Sequence, residues 1–420
     1  MQFTRAFHGI CALAVTAGCL LPAPASSQPV RIAVIEPLSG PTAGTGKPWV
    51  DNLTVAADEL NARGGVLKGR KIQIVPLDNA GNVEKTNELL NKAYDDGIRY
   101  VAVGIGSNHA LATTAFVERQ NKRSPDNPMV FFNTSGGALA LTNENCSYWH
   151  FRWGIGADMY ASALVNAMAK DPGVKRIYQM DQGYALGQAF HNAASQLVKE
   201  RLPNAGVVAA DVILPFGKVQ DFTPYVAKLR QLNVDTVLTS AFDVDFIRFY
   251  KAIVAAGLKV KVYAAYGNLS PHMAVITPQD LAIVPVVAVT DLNPNDGVGE
   301  EMKKVYANYR SNFNGSYFAE RMVWMLDMFK SAIDKVGEDN PRKVAAALEQ
   351  TRITTPSGPA SFRTTDHQFE FPLTIVQLSA SVPEKYFVEG RTTGVGFKTL
   401  YPPSPQGSMM PTTCKMARPS

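Results

Sequence analysis

The sequence predicts an α/β protein built from two doubly wound lobes. Three observations support this class: a length of 420 residues, a content of 46% hydrophobic and 18% charged residues, and apolar runs of strand length that alternate with segments of helical period. The length suits two or three domains, and the composition is that of a globular chain. Because the alternation occurs in two successive series, each series predicts its own parallel sheet covered by helices.

The first 27 residues have a different character. Residues 10–21 form one apolar run, which is followed by a small-residue pattern at 23–25. A run of this length is shorter than the roughly 20 residues that cross a bilayer, and it predicts a secretory signal cut between residues 25 and 27. Residues 16–19 leave open a lipoprotein signal, in which Cys19 would carry the lipid.

The strands and helices of the first series follow one another in βα order. Strands are predicted at 30–35, 71–77, 100–105 and 129–132. Helices are predicted from Pro48 to the glycines at 64–65, over 83–96, and from His109 onward. Polar turns follow the strands at 39–46, 106–109 and 133–137.

The second series repeats this order, and the last third of the chain departs from it. Strands are predicted at 174–178, 207–214, 236–239 and 260–265, with helices over 185–201, after an N-cap at Asp221, and up to Gly257. Helices at 300–313, 317–336 and 341–350 precede strand-length segments within 361–388 and a Pro-rich tail. The apolar stripe that begins at Phe318 in the helix 317–336 is interpreted as core packing.

Two cysteines remain after the signal, Cys146 and Cys414. In an exported protein such a pair is more often bridged than free, so we predict a disulfide that closes a loop of 268 residues. Two solvent-facing thiols are the alternative. No Cys-x-x-Cys or Cys/His cluster at ligand spacing is present, so the sequence indicates no metal site.

Sequence patterns of catalysis and of nucleic-acid binding are scarce. There is no His-Glu-x-x-His, no Gly-x-Ser-x-Gly and no Walker loop, and Gly104-Ile105-Gly106 lacks the third glycine of a dinucleotide-binding turn. The 41 basic residues against 36 acidic ones give a net charge of +5 without a basic block. We therefore expect no enzyme, no cofactor and no nucleic-acid partner.

The turns that end the predicted strands point to a ligand cleft. Hydroxyls, small residues and free N–H groups occur there in both series, and helix starts of this kind suit a ligand carboxylate. In open α/β sheets, ligands bind outside the carboxyl ends of the strands. Two lobes that present such edges to each other would close on a small polar molecule.

An ordered set of motifs carries a resemblance to a known family. The motifs are Pro37–Pro41, Leu60–Val66, Lys71–Asn79, Asp221–Tyr225, Ala255–Leu258 and Asp366–Gln368. From about Val30 to Phe397 the chain resembles the branched-chain amino acid-binding family of periplasmic solute-binding proteins. The resemblance implies the type I bilobed fold, a periplasmic location, a monomer, a small-molecule ligand and an ABC permease of the inner membrane as partner.

The family fold implies a division of the chain into two lobes that three crossings join as a hinge, near Gly156, Val289 and Pro372. The expected segments are a signal peptide (1–27), lobe 1 (30–156 plus 289–372), lobe 2 (157–288 plus 373–400) and a C-terminal tail (401–420).

The resemblance also implies a set of ligand-binding residues. Ser107 would hold the ligand carboxylate, with Thr45 at the rim of the cleft and Tyr184 and Phe242 facing it from the second lobe. A loop of small residues completes this set, namely Ser135, Gly136 and Gly137. The acid that binds the ligand ammonium in amino-acid receptors aligns with Tyr266.

This departure at Tyr266 leaves the ligand class open. Three acids could substitute for the missing carboxylate, namely Asp158, Asp181 and Asp243. Alternatively, the rings of Tyr184, Phe242 and Tyr266 would form a flat apolar wall, which favours an aromatic acid, another organic acid or an amide. We expect a receptor for an amino acid or a related carboxylate or amide, with an aromatic-acid receptor and an extracytoplasmic sensor subunit as alternatives.

Overall fold

A computed structural model describes residues 1–2, 28–215, 217–405 and 409–419. Nearly all of the predicted signal segment lies outside these residues, so the signal peptide and the alternative lipid site at Cys19 stay predictions. Within the described ranges, no helix has both the length and the apolar character needed to cross a membrane.

The first sheet has five parallel strands in the order β2-β1-β3-β4-β5. Its elements are β1 (Val30–Glu36), α1 (Ala43–Ala62), β2 (Ile72–Asp78), α2 (Val83–Asp95), β3 (Tyr100–Val103), α3 (Ser107–Arg123), β4 (Val130–Asn133) and β5 (His150–Arg152). The central strands β3 and β4 are buried along their whole length because helices cover both faces of the sheet.

The second series begins at the helix that follows β5. Its elements are α4 (Ala157–Met168), β6 (Arg176–Gln182), α5 (Ala185–Arg201), β7 (Gly206–Ile213), α6 (Thr223–Gln231), β8 (Thr236–Thr239), α7 (Asp243–Ala255), β9 (Lys261–Ala264), α8 (Ser270–Met273), α9 (Pro278–Ile283) and β10 (Val286–Thr290). The five strands are parallel and belong to one sheet.

The last third of the chain contributes to both lobes. Its elements are α10 (Glu300–Phe313), α11 (Arg321–Val336), α12 (Pro341–Glu349), β11 (Arg352–Thr355), β12 (Gly358–Phe362), β13 (Phe369–Glu370), β14 (Leu373–Ser379), β15 (Phe387–Val388), β16 (Arg391–Thr392) and β17 (Gly396–Ser404). Helices α10 and α11 pack on α1, and Phe362 packs against Phe151 and Trp153 of the first lobe. Strands β14 and β17 join the second sheet antiparallel, in the order β17-β14-β10-β9-β8-β6-β7.

The tail returns to the first lobe after β17. Cys414 is joined to Cys146 by a disulfide, which confirms the predicted pair. Thr413 donates hydrogen bonds from its backbone N and its hydroxyl to Asn143 Oδ1, at 2.8 and 3.0 Å. Because β17 ends at Ser404, the second sheet extends past residue 400, where the tail was expected to begin.

Helix α3 begins at Ser107, two residues before the predicted start at His109, and three further helix starts differ from the sequence-based expectation. Helix α1 begins at Ala43, so Pro48 lies inside it. Helix α6 begins at Thr223, and Asp221 accepts a hydrogen bond from the Thr223 N–H at 2.8 Å from a position before the N-cap. Helix α11 begins at Arg321, so Phe318 precedes the helix and its side chain is free to face away from the helical stripe.

Candidate functional site

A cavity lies between the two lobes. Its volume is about 580 Å³ when the solvent space at its opening is included. It is formed at the carboxyl ends of the parallel strands, where the turns of both sheets meet. Its lining residues are Thr45, Trp49, Gly104, Ile105, Gly106, Ser107, Ser135, Gly136, Tyr160, Tyr184, Leu186, Phe242, Tyr266, Asn268, Leu269, Phe318 and Arg321.

The first-lobe side of the cavity presents hydrogen-bond donors. Gly106 is the N-cap of α3 and has a φ of +93°, a conformation that favours glycine. Ser107 is the first residue of that helix, and its Oγ accepts a hydrogen bond from the Ala138 N–H at 3.2 Å. The Ser107 hydroxyl hydrogen can therefore be donated to a ligand, next to the positive end of the helix dipole.

The floor of the cavity lies over a buried carboxyl group. Glu36 is fully buried at the end of β1, and its Oε2 accepts the Ile105 N–H at 2.9 Å. Burial raises the pKa of Glu36 to about 8, so this group is largely neutral at pH 7. A Cβ atom at Gly104 would lie 2.3 Å from Thr134 Oγ1 and 2.8 Å from Trp49 Nε1, so only glycine fits between the cavity and these groups.

Aromatic rings cover both walls. On the second-lobe side Tyr184, Phe242 and Tyr266 form a row with ring centroids 5.8 Å apart, and Tyr160 extends the row with its centroid 5.0 Å from that of Tyr266. On the first-lobe side Trp49 and Phe318 pack with centroids 5.8 Å apart. The space between these walls suits a flat apolar body.

One charged side chain lines the cavity among the described residues, and it is Arg321. Asp291, directly after β10, accepts hydrogen bonds from Arg321 Nε at 3.0 Å (Oδ1) and 2.7 Å (Oδ2) and forms an ion pair with Nη2 at 2.7 Å. Within the described ranges, no cluster of three or more His, Cys, Asp or Glu side chains is placed to hold a metal ion.

The structure brings most of the expected ligand-binding residues together. The residues that line the cavity are Thr45, Ser107, Ser135, Gly136, Tyr184, Phe242 and Tyr266. Gly137, Asp158 and Asp243 are absent from the lining. The Gly137 carbonyl accepts the Ala157 N–H at 2.8 Å, which places it at the start of α4. The ligand contacts of all ten residues stay a prediction.

The three acids considered as ammonium partners are occupied elsewhere. Asp158 interacts electrostatically with the buried Arg152. Asp243, with a φ of +54°, accepts a hydrogen bond from Thr45 Oγ1 at 3.0 Å across the two lobes. Asp181 lies inside β6 and accepts from the backbone N and hydroxyl of Ser240 at 2.8 and 2.7 Å. The Asp181 carboxylate thus ties β6 to the loop after β8.

Several lining residues were missed by sequence reasoning, namely Trp49, Tyr160, Asn268, Phe318 and Arg321. Trp49 lies one helical turn after Thr45 on the same face of α1, but the sequence-based start at Pro48 left Thr45 outside the helix. Phe318 and Arg321 had been assigned to a core-packing helix. The start of α11 at Arg321 instead places both residues where the helix meets the cleft.

Two α/β lobes with a cavity between them, lined by hydrogen-bond donors and aromatic rings, define a bilobed solute receptor. Residues 29–383 match the family model described as periplasmic binding protein. The chain belongs to the periplasmic binding protein family, and it is a solute-binding protein of the ABC-transporter type that acts outside the cytoplasm.

Individual relatives extend over nearly the whole chain. The Leu/Ile/Val-binding protein homolog 4 of Brucella abortus (strain 2308) is 31% identical over 422 residues, which cover 97% of each chain. The closed conformation of the leucine-, isoleucine-, valine-, threonine- and alanine-binding protein from Brucella ovis has a TM-score of 0.80 and 28% identity, and the match covers 93% of this chain and 100% of that one. A solute-binding protein of an ABC transporter from R. palustris in complex with benzoate has a TM-score of 0.74 at 18% identity, with 92% and 99% covered.

Proposed function

We propose that this receptor captures a small organic acid that has a flat, largely apolar body and no ammonium group. It would deliver this ligand to a membrane permease without chemical change. The observation that carries the proposal is the inventory of the cavity: six aromatic side chains, hydroxyl and amide donors, one guanidinium, and no carboxylate among the described lining residues.

The missing carboxylate argues against a zwitterionic ligand. An ammonium group buried in a closed cleft without an anionic partner costs several kcal/mol. Tyr266 stands where the family resemblance implies that partner. Burial, followed by the nearby phenols of Tyr160 and Tyr184, raises the pKa of Tyr266 far above its ordinary value, so its side chain stays neutral. A neutral phenol can donate to an oxygen but cannot replace a carboxylate as a counter-ion.

The remaining polar groups favour a ligand carboxylate. The hydroxyl of Ser107 and the backbone N–H groups at the start of α3 are donors at the first-lobe edge. The cavity is concave and mostly apolar with a few polar groups, as small-molecule sites are. An aromatic monocarboxylate such as benzoate would place its ring between Trp49 and the row of second-lobe rings.

Further parts of this proposal rest on the sequence and the family. An N-terminal signal would export the chain, and an inner-membrane permease would receive the ligand from a monomeric receptor. An amino-acid ligand is the competing proposal, because the relatives from Brucella carry amino-acid names. A sensor role would share the same cleft and differ only in the partner.

A ligand panel tests the proposal directly. The purified mature chain would be assayed by thermal shift and then calorimetry against benzoate, 4-hydroxybenzoate, benzamide, leucine and valine. We expect stabilisation by the aromatic acids and none by the amino acids. Tight binding of leucine or valine would overturn the proposal, since the cleft would then accommodate an ammonium group without a carboxylate among the described lining residues.

A further inference from the structure

The guanidinium of Arg321 is a buried charge that also lines the cavity. Arg321 is 6% exposed, and it is the first residue of α11. Asp291 accepts hydrogen bonds from Nε and forms the ion pair with Nη2, and the Arg321 backbone N–H also donates to Asp291 Oδ2 at 3.1 Å. Since an arginine carries five N–H donors, this pair fixes the side chain without using all of them.

Asp291 holds the guanidinium from outside the cavity. Asp291 is buried and is absent from the lining, whereas Arg321 is part of it. A ligand anion in the cavity would therefore lie nearer to the positive partner than to the negative one. The ion pair also compensates the buried charge of Arg321 when no ligand is bound, and so avoids the free-energy cost of an unpaired buried charge.

Three phenol hydroxyls surround the same region. Tyr160 forms a side-chain hydrogen bond with Arg321, and Tyr184 and Tyr266 interact electrostatically with Tyr160. Burial raises the pKa of each of these three phenols, so they stay protonated near pH 7. Arg321 and the neighbouring Tyr160 thus present donors to an oxygen acceptor in the cavity.

The neighbouring acid does not add a negative charge at neutral pH. Glu320 is buried beside Arg321, and its Oε1 accepts the hydroxyl of Tyr306 at 2.9 Å. Burial, and then the charge of Asp291, raises the pKa of Glu320 to about 8. At pH 7 the cluster therefore holds one positive and one negative charge, and Asp291 is the group that balances Arg321.

We propose that Arg321 selects for a negatively charged ligand over its neutral analogue, and that Asp291 sets the strength of this selection. This inference rests on the proposed function, since it names the residue by which an acid would be chosen. The Nη groups that Asp291 does not use would donate to the ligand oxygen, with Tyr160 beside them. A charged acceptor binds such donors more strongly than a neutral one.

The experiment compares benzoate with benzamide, two probes of nearly equal shape and different charge. Calorimetry at pH 7 would measure the ratio of their affinities in the wild type, in Asp291→Asn, and in the double variant Arg321→Gln/Asp291→Asn, which removes both charges together. We expect Asp291→Asn, made in a Glu320→Gln background so that Glu320 cannot ionise once the Asp291 charge is gone, to raise benzoate affinity about tenfold and to leave benzamide within about twofold. The double variant should lose at least about tenfold for benzoate and bring the ratio near one.

Glu320→Gln is the matched control, because it replaces a neutral buried acid with an amide of the same shape and should leave the ratio unchanged. If Asp291→Asn does not fold because it leaves Arg321 unpaired, the double variant decides by the ratio that it gives. A wild-type ratio that persists in the double variant would overturn the role of Arg321 and leave the proposed function intact. Leucine binding without benzoate binding would overturn both.

Discussion

The hydrogen bond between Thr45 and Asp243 links the two lobes, and its removal should weaken ligand binding. Thr45 belongs to α1 and Asp243 to α7, and the two side chains are 2% and 4% exposed. In an open cleft both groups would be hydrated. The bond therefore contributes only to the closed state, in which a bound ligand is enclosed.

The substitution Thr45→Val removes the hydroxyl and keeps the shape of the side chain. A hydrogen bond to a charged group contributes about 1.5–3 kcal/mol, and loss of the donor leaves the Asp243 carboxylate buried without it. At about 1.4 kcal/mol per tenfold change, the Kd for the ligand should rise about 10- to 100-fold. Calorimetry with a ligand that the panel identifies would measure this change.

Thr54→Val is the matched control, because Thr54 lies on the same helix and its hydroxyl bonds the Val50 carbonyl at 2.9 Å. It removes a hydroxyl without touching the cleft, so the Kd should stay within about twofold. Equal Kd values for Thr45→Val and the wild type would show that the Thr45–Asp243 bond does not stabilise the closed state.

Three further predictions concern groups around the site and the tail. Because the pKa of Glu36 is about 8 in the fold against an ordinary 4.5, the stability of the wild type should fall as pH rises from about 4.5 to 8. In urea unfolding, Glu36→Gln should therefore be about 3 kcal/mol more stable than the wild type at pH 7 and equally stable near pH 4.5. Parallel pH profiles of the two proteins would contradict this. Replacing Cys146 and Cys414 with serine should lower the free energy of unfolding by up to about 5 kcal/mol, and reduction of the wild type should match it, whereas an unchanged unfolding midpoint would speak against the bridge. Gly104→Ala should abolish ligand binding, since the added Cβ would lie 2.3 Å from Thr134 Oγ1. Wild-type affinity in this variant would show that the residues around Gly104 can move to accommodate the Cβ.

The fold and the first-lobe edge of the cavity could be predicted because local rules govern them. Apolar runs between turn residues located both sheets and the polar turns after their strands, while the family resemblance singled out Ser107 and Gly136 within those turns. The start of α11 could not be located, because Tyr317 and Phe318 continue the apolar pattern of the helix. Where the helical period does not change, the pattern cannot mark the first hydrogen-bonded turn.

The role of each acid depended on partners that are distant in sequence. Asp243 faces Thr45, which lies 198 positions away, and Asp181 binds Ser240, which lies 59 positions away. A carboxylate followed by helical residues looks the same in sequence whether it caps a helix, ties two strands or joins two lobes. The electrostatic role of each acid depends on the assembled tertiary structure, because the neighbouring donors come from other elements.

Sequence alone predicted that this chain forms two α/β lobes with a cleft at their strand ends, and it favoured a bridge between Cys146 and Cys414. Hydrophobic periodicity and the small number of cysteines suffice for these conclusions, since each depends on pattern or on number. Tertiary structure alone decided which charges face the cleft. Arg321 lines the cavity and Asp291 lies behind it because the start of α11 contacts the end of β10. A local sequence pattern cannot predict this contact, since the two elements come from different parts of the chain.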